Sequence, residues 1–237
     1  MFNYGMKVSC YSDKKAFIHN LGWHRAGTDT TYYQNTVRKD LTFMNYFYTL
    51  SWTYTFDHDQ DVVYFSYCIP YTYSDLKNDI VRLETDPARS QYLLVQTLCK
   101  TLAGNECPIL TITSKDQSKQ QQERKKAVVL TARQHPGESV GSWMMRGAIN
   151  FLSDPESPEA QILRDNYVFK LVPMLNPDGV INGNYRCSLA GCDLNRRWKH
   201  PSKTLHPTVY FTKKLAKQMH VEKGVVLICD MHGHSRK

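Results

Sequence analysis

The 237-residue sequence has no Cys-x-x-Cys pair, and its seven cysteines are odd in number. That excludes complete disulfide pairing and a four-cysteine zinc ribbon. Cys187 and Cys192 lie five apart, with no second pair to complete a knuckle. All seven are expected to be free thiols in a reducing compartment. Long apolar runs are also missing, and nothing approaches the roughly 20 residues that cross a bilayer. The opening, MFNYGMKVSCYSDKK, lacks a signal-peptide core and a cleavage site, which gives an expectation of the cytosol. There is no Gly-x-x-x-x-Gly-Lys-Ser/Thr phosphate loop and no internal repeat. Asp57, Asp59 and Asp61 lack the glycine and closing glutamate of a calcium loop, so they read as a solvated turn.

Aromatic residues are abundant, with fifteen tyrosines, and disorder is excluded on that ground. The net charge of +8 is unevenly spread. Residues 1–112 carry ten basic and eleven acidic side chains, a net of −1, and residues 113–237 carry twenty and eleven, a net of +9. A basic second half suggests an anionic partner, and the sign alone does not choose among nucleic acid, an acidic membrane and an acidic peptide.

The two halves differ in pattern. In FYTLSWTYTF, Leu50, Trp52, Tyr54 and Phe56 alternate with Thr49, Ser51, Thr53 and Thr55, as in a half-buried strand. DHDQD and then VVYFSYCIPY follow, which reads as a hairpin. The pattern changes near Tyr73. SDLKNDIVRLETD has Ser74 as an N-cap candidate and Leu76, Ile80 and Leu83 at helical spacing. RSQYLLVQTLCKTLAG reads as a second helix or a helix-to-strand passage, CPILTITS as a strand, and KDQSKQQQERKK as a solvated surface loop. That loop has no interleaved aromatics for stacking on bases, which argues against nucleic acid. AVVLTA, YVFKLVPML and GVVLIC read as strands buried on both faces. SVGSWMMRGAINFL places Val140, Trp143, Met144, Ala148 and Phe151 on one helical face, and PTVYFTKKLAKQMH is a helix with a lysine-rich outer side. The fold class is therefore α/β, a β domain over residues 1–72 followed by an α/β layer domain over residues 73–237.

The strands end in unusual residues. AVVLTA runs into His135-Pro-Gly-Glu138, YVFKLVPML into Asn176-Pro-Asp-Gly179, and GVVLIC into Asp230-Met-His-Gly-His234. Ligands of open α/β sheets bind beyond the carboxyl ends of the strands, so three such ends can meet at one site. An imidazole and a carboxylate brought together by the Pro-Gly turn are good zinc ligands, and a second histidine, from DMHGHS, completes a two-histidine, one-glutamate set with an open position for water. Arg186 and Arg196 sit among turns and small residues, where a planar guanidinium suits a carboxylate.

HPGE, NPDGVINGNYRCSLAG with DLNRRW, and DMHGHSRK together resemble the signature of the M14 zinc metallocarboxypeptidases, and in detail their cytosolic carboxypeptidase branch. FNYGM, GTDTTYY and YCIPYTYSDL resemble the final portion of that branch's N-terminal β domain. The resemblance covers essentially the whole chain. It implies a partial antiparallel β-sandwich followed by the N-terminal part of a mixed-sheet carboxypeptidase domain. It implies one zinc ion held by His135, Glu138 and His232, with His234 lining the pocket. It implies that Asn195 and Arg196 hold the substrate's terminal carboxylate and that Arg186 polarises the scissile carbonyl. It implies removal of C-terminal glutamates from acidic protein tails, notably those of polyglutamylated tubulin, with neither nucleic acid nor membrane as partner. The family's general-base glutamate has no counterpart before Lys237, so the chain by itself is expected to be an incomplete catalytic unit with weak activity or none. Two other classes stay open at this point: a non-catalytic module for acidic tails, and a zinc amide hydrolase of aspartoacylase type.

Overall fold

Strand-forming residues fill the first of two units, Met1–Pro70. The computed structural model describes residues 1–39, 45–115 and 118–233. In the first unit, β1 (Val8–Ser12) leads into α1 (Asp13–His19), followed by β2 (His24–Ala26), β3 (Thr28–Arg38), β4 (Tyr46–Thr53) and β5 (Val63–Ser66). Two antiparallel sheets result, β2-β1-β5 and β3-β4. Trp52 and Tyr54 meet Phe65 edge-on, with ring centroids 5.3 and 4.9 Å apart, and so join the strand segment of one sheet to the other.

The expected hairpin between FYTLSWTYTF and VVYFSYCIPY does not form. β4 pairs with β3, and β5 pairs with β1 in the register Ser9↔Ser66 to Ser12↔Val63. DHDQD holds a helix start instead of turning a hairpin. Asp61 accepts from the Ser12 hydroxyl at 2.5 Å and from the Lys14 amide at 3.0 Å, while Ser12 caps α1.

The second unit, Tyr71–Lys237, carries the α/β layer. Its elements are α2 (Tyr73–Thr85), α3 (Pro87–Ser90), β6 (Leu93–Lys100), β7 (Glu106–Ile112), α4 (Lys119–Arg124), β8 (Lys126–Ala132), α5 (Ser139–Leu152), α6 (Pro158–Asn166), β9 (Tyr167–Val172), α7 (Pro177–Ile181), α8 (Pro207–Lys223) and β10 (Val225–Met231). The sheet order is β10-β8-β9-β7-β6. β10, β8 and β9 run parallel, and β7 and β6 close the other side antiparallel, so the sheet is mixed as expected. Leu76, Ile80 and Leu83 of α2 are buried, and the cap is Thr72, which shares a capping box with Asp75. Ser74 is not the cap, because it already lies inside the helix, while Thr72, three residues before Asp75, receives the Asp75 amide at 3.1 Å.

Of the two readings of RSQYLLVQTLCK, the helix-to-strand passage holds: a four-residue helix leads into β6, because the β-sheet partner β7 overrides a sequence with mixed propensity. Two further expectations are corrected. The polar KDQSKQQQERKK segment contains α4, whose Ser118–Gln121 capping box starts a helix that composition alone does not announce. Helix α5 buries Gly141, Ser142, Met145, Ile149 and Leu152, leaving Val140, Trp143, Met144 and Phe151 over a third exposed. Small residues decide that face. An added Cβ on Gly141 would stand 2.7 Å from the Met231 carbonyl oxygen, so only glycine lets α5 approach the end of β10.

β8 is buried along Ala127–Ala132. β10, read as buried, is a sheet edge among the described residues, with Val226, Leu227 and Ile228 each more than half exposed. All seven cysteines are free thiols. Among the described residues, no helix is long and apolar enough to cross a membrane.

Candidate metal centre

Parallel pairing of β8 with β10 aligns Ala132 with Met231, so the segments that follow both strands emerge at the same end of the sheet. After β8, the chain turns through His135-Pro-Gly and becomes helical at Ser139, which leaves Glu138 at the N-cap of α5. A helix N-terminus carries partial positive charge and suits a carboxylate. After β10 come His232 and Gly233.

This places His135, Glu138 and His232 together, with one ligand atom of each within 4.8 Å of the others. His135 Nδ1 lies 2.8 Å from Glu138 Oε1, and His232 Nδ1 lies 2.9 Å from Glu138 Oε2. The Gly233 amide donates to the same Oε2 at 2.9 Å. The imidazole rings are 4.9 Å apart. Both Nδ1 atoms thus face one carboxylate, and both Nε2 atoms face away from it. His135 Nε2 lies 2.9 Å from Asp193 Oδ1, and His232 Nε2 lies 2.7 Å from Asp230 Oδ2. A carboxylate on the outer nitrogen fixes the ring and its tautomer, so that Nδ1 is the free donor to a metal.

The donor set fits zinc. Two imidazole nitrogens and a carboxylate oxygen are borderline-hard ligands, and neighbouring ligands around a tetrahedral ion with bonds of about 2 Å stand roughly 3.3 Å apart. Small side-chain movements from the observed spacings reach that geometry.

The electrostatics are those of closely packed opposite charges. Burial pushes the Glu138 carboxyl up, but the Gly233 amide and the two histidines outweigh it and hold it below the usual carboxylate range. Asp193 behaves alike: burial raises it, and His135, the Asn195 amide and Arg186 together bring it down. For His232 burial works downward, and Asp230 and Glu138 outweigh it and raise it.

The remaining expected residues approach this cluster unequally. Arg186 Nη2 lies 2.7 Å from Asp193 Oδ2, the carboxylate whose other oxygen meets His135. Asn195 sits in the short 3-10 turn Leu194–Arg196, and its amide donates to Asp193 Oδ1 at 2.8 Å. Arg196 is exposed, and its guanidinium meets the Asn195 carbonyl at 3.5 Å. His234 lies outside the described residues. The Asn-Pro-Asp-Gly end of β9 supplies support. Asn176 donates to the Gln134 carbonyl at 3.2 Å, while Asp178 turns to the β6–β7 loop.

Asp193 and Asp230 as partners of the histidines were not read from the sequence. A signal existed for Asp230, which precedes His232 by two residues and therefore shares its face of an extended chain. Asp193 comes from a loop and has no such periodic mark.

Comparisons with known proteins bear on the family and the fold. Residues 84–221 match the family model for zinc carboxypeptidases, Peptidase M14. The whole chain is 49% identical to cytosolic carboxypeptidase 2 of Xenopus tropicalis and 46% identical to cytosolic carboxypeptidase 3 of Mus musculus, covering 24% and 23% of those proteins. The chain thus spans about a quarter of the length of these curated relatives. Among solved structures, a metallo-carboxypeptidase from Burkholderia cenocepacia superposes with a TM-score of 0.72 at 27% identity, over 96% of this chain and 52% of that one. A metallo-carboxypeptidase from Pseudomonas aeruginosa, in complex with (2-guanidinoethylmercapto)succinic acid, gives 0.69 at 25% identity, over 98% and 52%.

Proposed function

The chain belongs to the M14 family of zinc carboxypeptidases, and from that premise we propose that its protein removes glutamates from the C-termini of acidic protein tails, such as those of polyglutamylated tubulin, in the cytosol. The observation that carries this reading is the meeting of His135, Glu138 and His232 at the aligned ends of β8 and β10. These three residues hold the zinc. A bound zinc supplies Lewis acidity toward a carbonyl and lowers the pKa of coordinated water.

The other residues act on the substrate. Asn195 and Arg196 bind the terminal carboxylate, and a clamp for that group restricts the reaction to chain ends. Arg186, steadied by Asp193, directs its guanidinium at the carbonyl oxygen as negative charge develops there. The +9 charge of residues 113–237 favours an acidic tail. The relatives' names, cytosolic carboxypeptidases, support both the chain-end chemistry and the compartment.

The test uses a fluorescent peptide ending in several glutamates, with a free or an amidated C-terminus, and zinc is counted on the same samples by elemental analysis. The expected result is one zinc per chain, absent from His232→Ala, and at least tenfold tighter binding of the free carboxylate, lost in Arg196→Ala. Equal affinity for both peptides would remove the clamp. Tail binding that persists without zinc, with no product released by the full-length protein, would assign a binding module instead.

A further inference from the structure

Arg133 is the residue between the end of β8 and the ligand loop, and its backbone is left-handed, with φ 56°. Three other non-glycine residues share that sign among the described residues: Asn20, Asp29 and Gln60. All three are exposed, whereas Arg133 is 6% exposed. A positive φ favours glycine, then asparagine or aspartate. A long side chain in a buried left-handed position is explained by what it holds.

Its guanidinium holds three oxygens from three parts of the chain. Nε donates to the Pro136 carbonyl at 2.8 Å, and Pro136 stands between the ligands His135 and Glu138. Nη1 donates to the Ser142 hydroxyl in the first turn of α5 and to the Tyr71 carbonyl ahead of α2, each at 2.9 Å. The rest of the loop backbone has other partners. The Gln134 carbonyl accepts from Asn176, the Gly137 amide donates to the Tyr185 carbonyl at 2.7 Å, and the Glu138 amide returns to the His135 carbonyl at 3.1 Å. Pro136 has no amide hydrogen, so its carbonyl is its one backbone hydrogen-bonding group. The Arg133 fork is therefore the clamp that ties the middle of the loop to the helix whose N-cap is Glu138.

We propose that Arg133 is a positioning residue for the metal centre, presetting the separation of His135 and Glu138 by anchoring the Pro136 carbonyl to α5. The inference rests on the ligand set proposed above. A lysine keeps the charge but cannot span the three acceptors from one plane. A glycine keeps the left-handed backbone and loses the fork, so it separates the two possible contributions of this position.

The experiment compares the full chain with Arg133→Lys, Arg133→Gly and Ser142→Ala. It measures zinc affinity by chelator competition, the visible spectrum of the cobalt(II)-loaded protein, and the melting of the metal-free form. Both Arg133 variants are expected to bind zinc about 10- to 100-fold more weakly, the range known for loss of groups that orient metal ligands, and to show an altered cobalt spectrum. Ser142→Ala removes the hydrogen bond from the fork to α5 and keeps the Pro136 contact, so its zinc affinity should fall in the same direction as in Arg133→Gly but by less, with the cobalt spectrum shifted the same way. Wild-type affinity and an unaltered spectrum in Arg133→Gly would overturn the proposal, with Arg133→Lys deciding if the glycine variant does not fold. If the parent binds one zinc that His232→Ala loses and the Arg133 variants match the parent, the ligand set stands and the positioning role falls. A parent chain that takes up no zinc overturns both.

Discussion

At the scale of single residues, the candidate metal centre is held by two carboxylates outside the proposed ligand set. Asp193 and Asp230 each hold the outer nitrogen of one histidine, at 2.9 and 2.7 Å. Replacing Asp230 by asparagine keeps the shape and removes the charge, so the His232 ring loses its orientation and its basicity. The expected outcome is zinc binding about 10- to 100-fold weaker, measured by chelator competition. Asp193→Asn should act in two places, because Asp193 also pairs with Arg186. The three residues of the cluster were legible in the sequence as candidates, since His-Pro-Gly-Glu and Asp-Met-His stand at the ends of apolar runs. Asp193 was not legible, because a loop residue 58 positions from His135 leaves no periodic trace. Arg133 was not legible either, since a backbone sign is a property of the folded chain.

Secondary-structure elements show the same division. β8 and β9 were readable because strands covered on both sides are continuously apolar. The partners of β4 and β5, which are β3 and β1, were not, since alternation marks a strand without naming its neighbour. Helix α5 was found and its buried face was misplaced, because Gly141 and Ser142 carry the close contact and neither is apolar. The β6–β7 turn offers a prediction at this scale. Asp178, 6% exposed, accepts from the Thr101 hydroxyl, the Ala103 amide and the Asn105 side chain at 2.5, 3.1 and 2.8 Å. It thereby fastens that turn to the start of α7. Asp178→Ala leaves three half-exposed donors without their acceptor and should lower stability by about 1–2 kcal/mol, read from the urea midpoint of the metal-free chain.

For the molecule as a whole, the division at Pro70 and Tyr71 puts every proposed metal ligand in the second unit. Residues 71–237 expressed alone should therefore retain zinc, counted by elemental analysis, whenever that unit folds on its own. The ligands also come from distant parts of the sequence, with 94 positions separating Glu138 from His232. A bound ion is consequently a reversible cross-link as well as a reagent. It closes a long loop across β10, an edge strand with β8 as its partner among the described residues. In a chain-entropy treatment, closing a loop of that length removes freedom from the unfolded chain worth roughly 4–5 kcal/mol. Much of that benefit should fall on β10, whose Val226, Leu227 and Ile228 are each more than half exposed. Hydrogen exchange along Val225–Met231 would then slow when zinc is added and quicken when it is chelated, and that strand would be mechanically stapled by the site it helps to build.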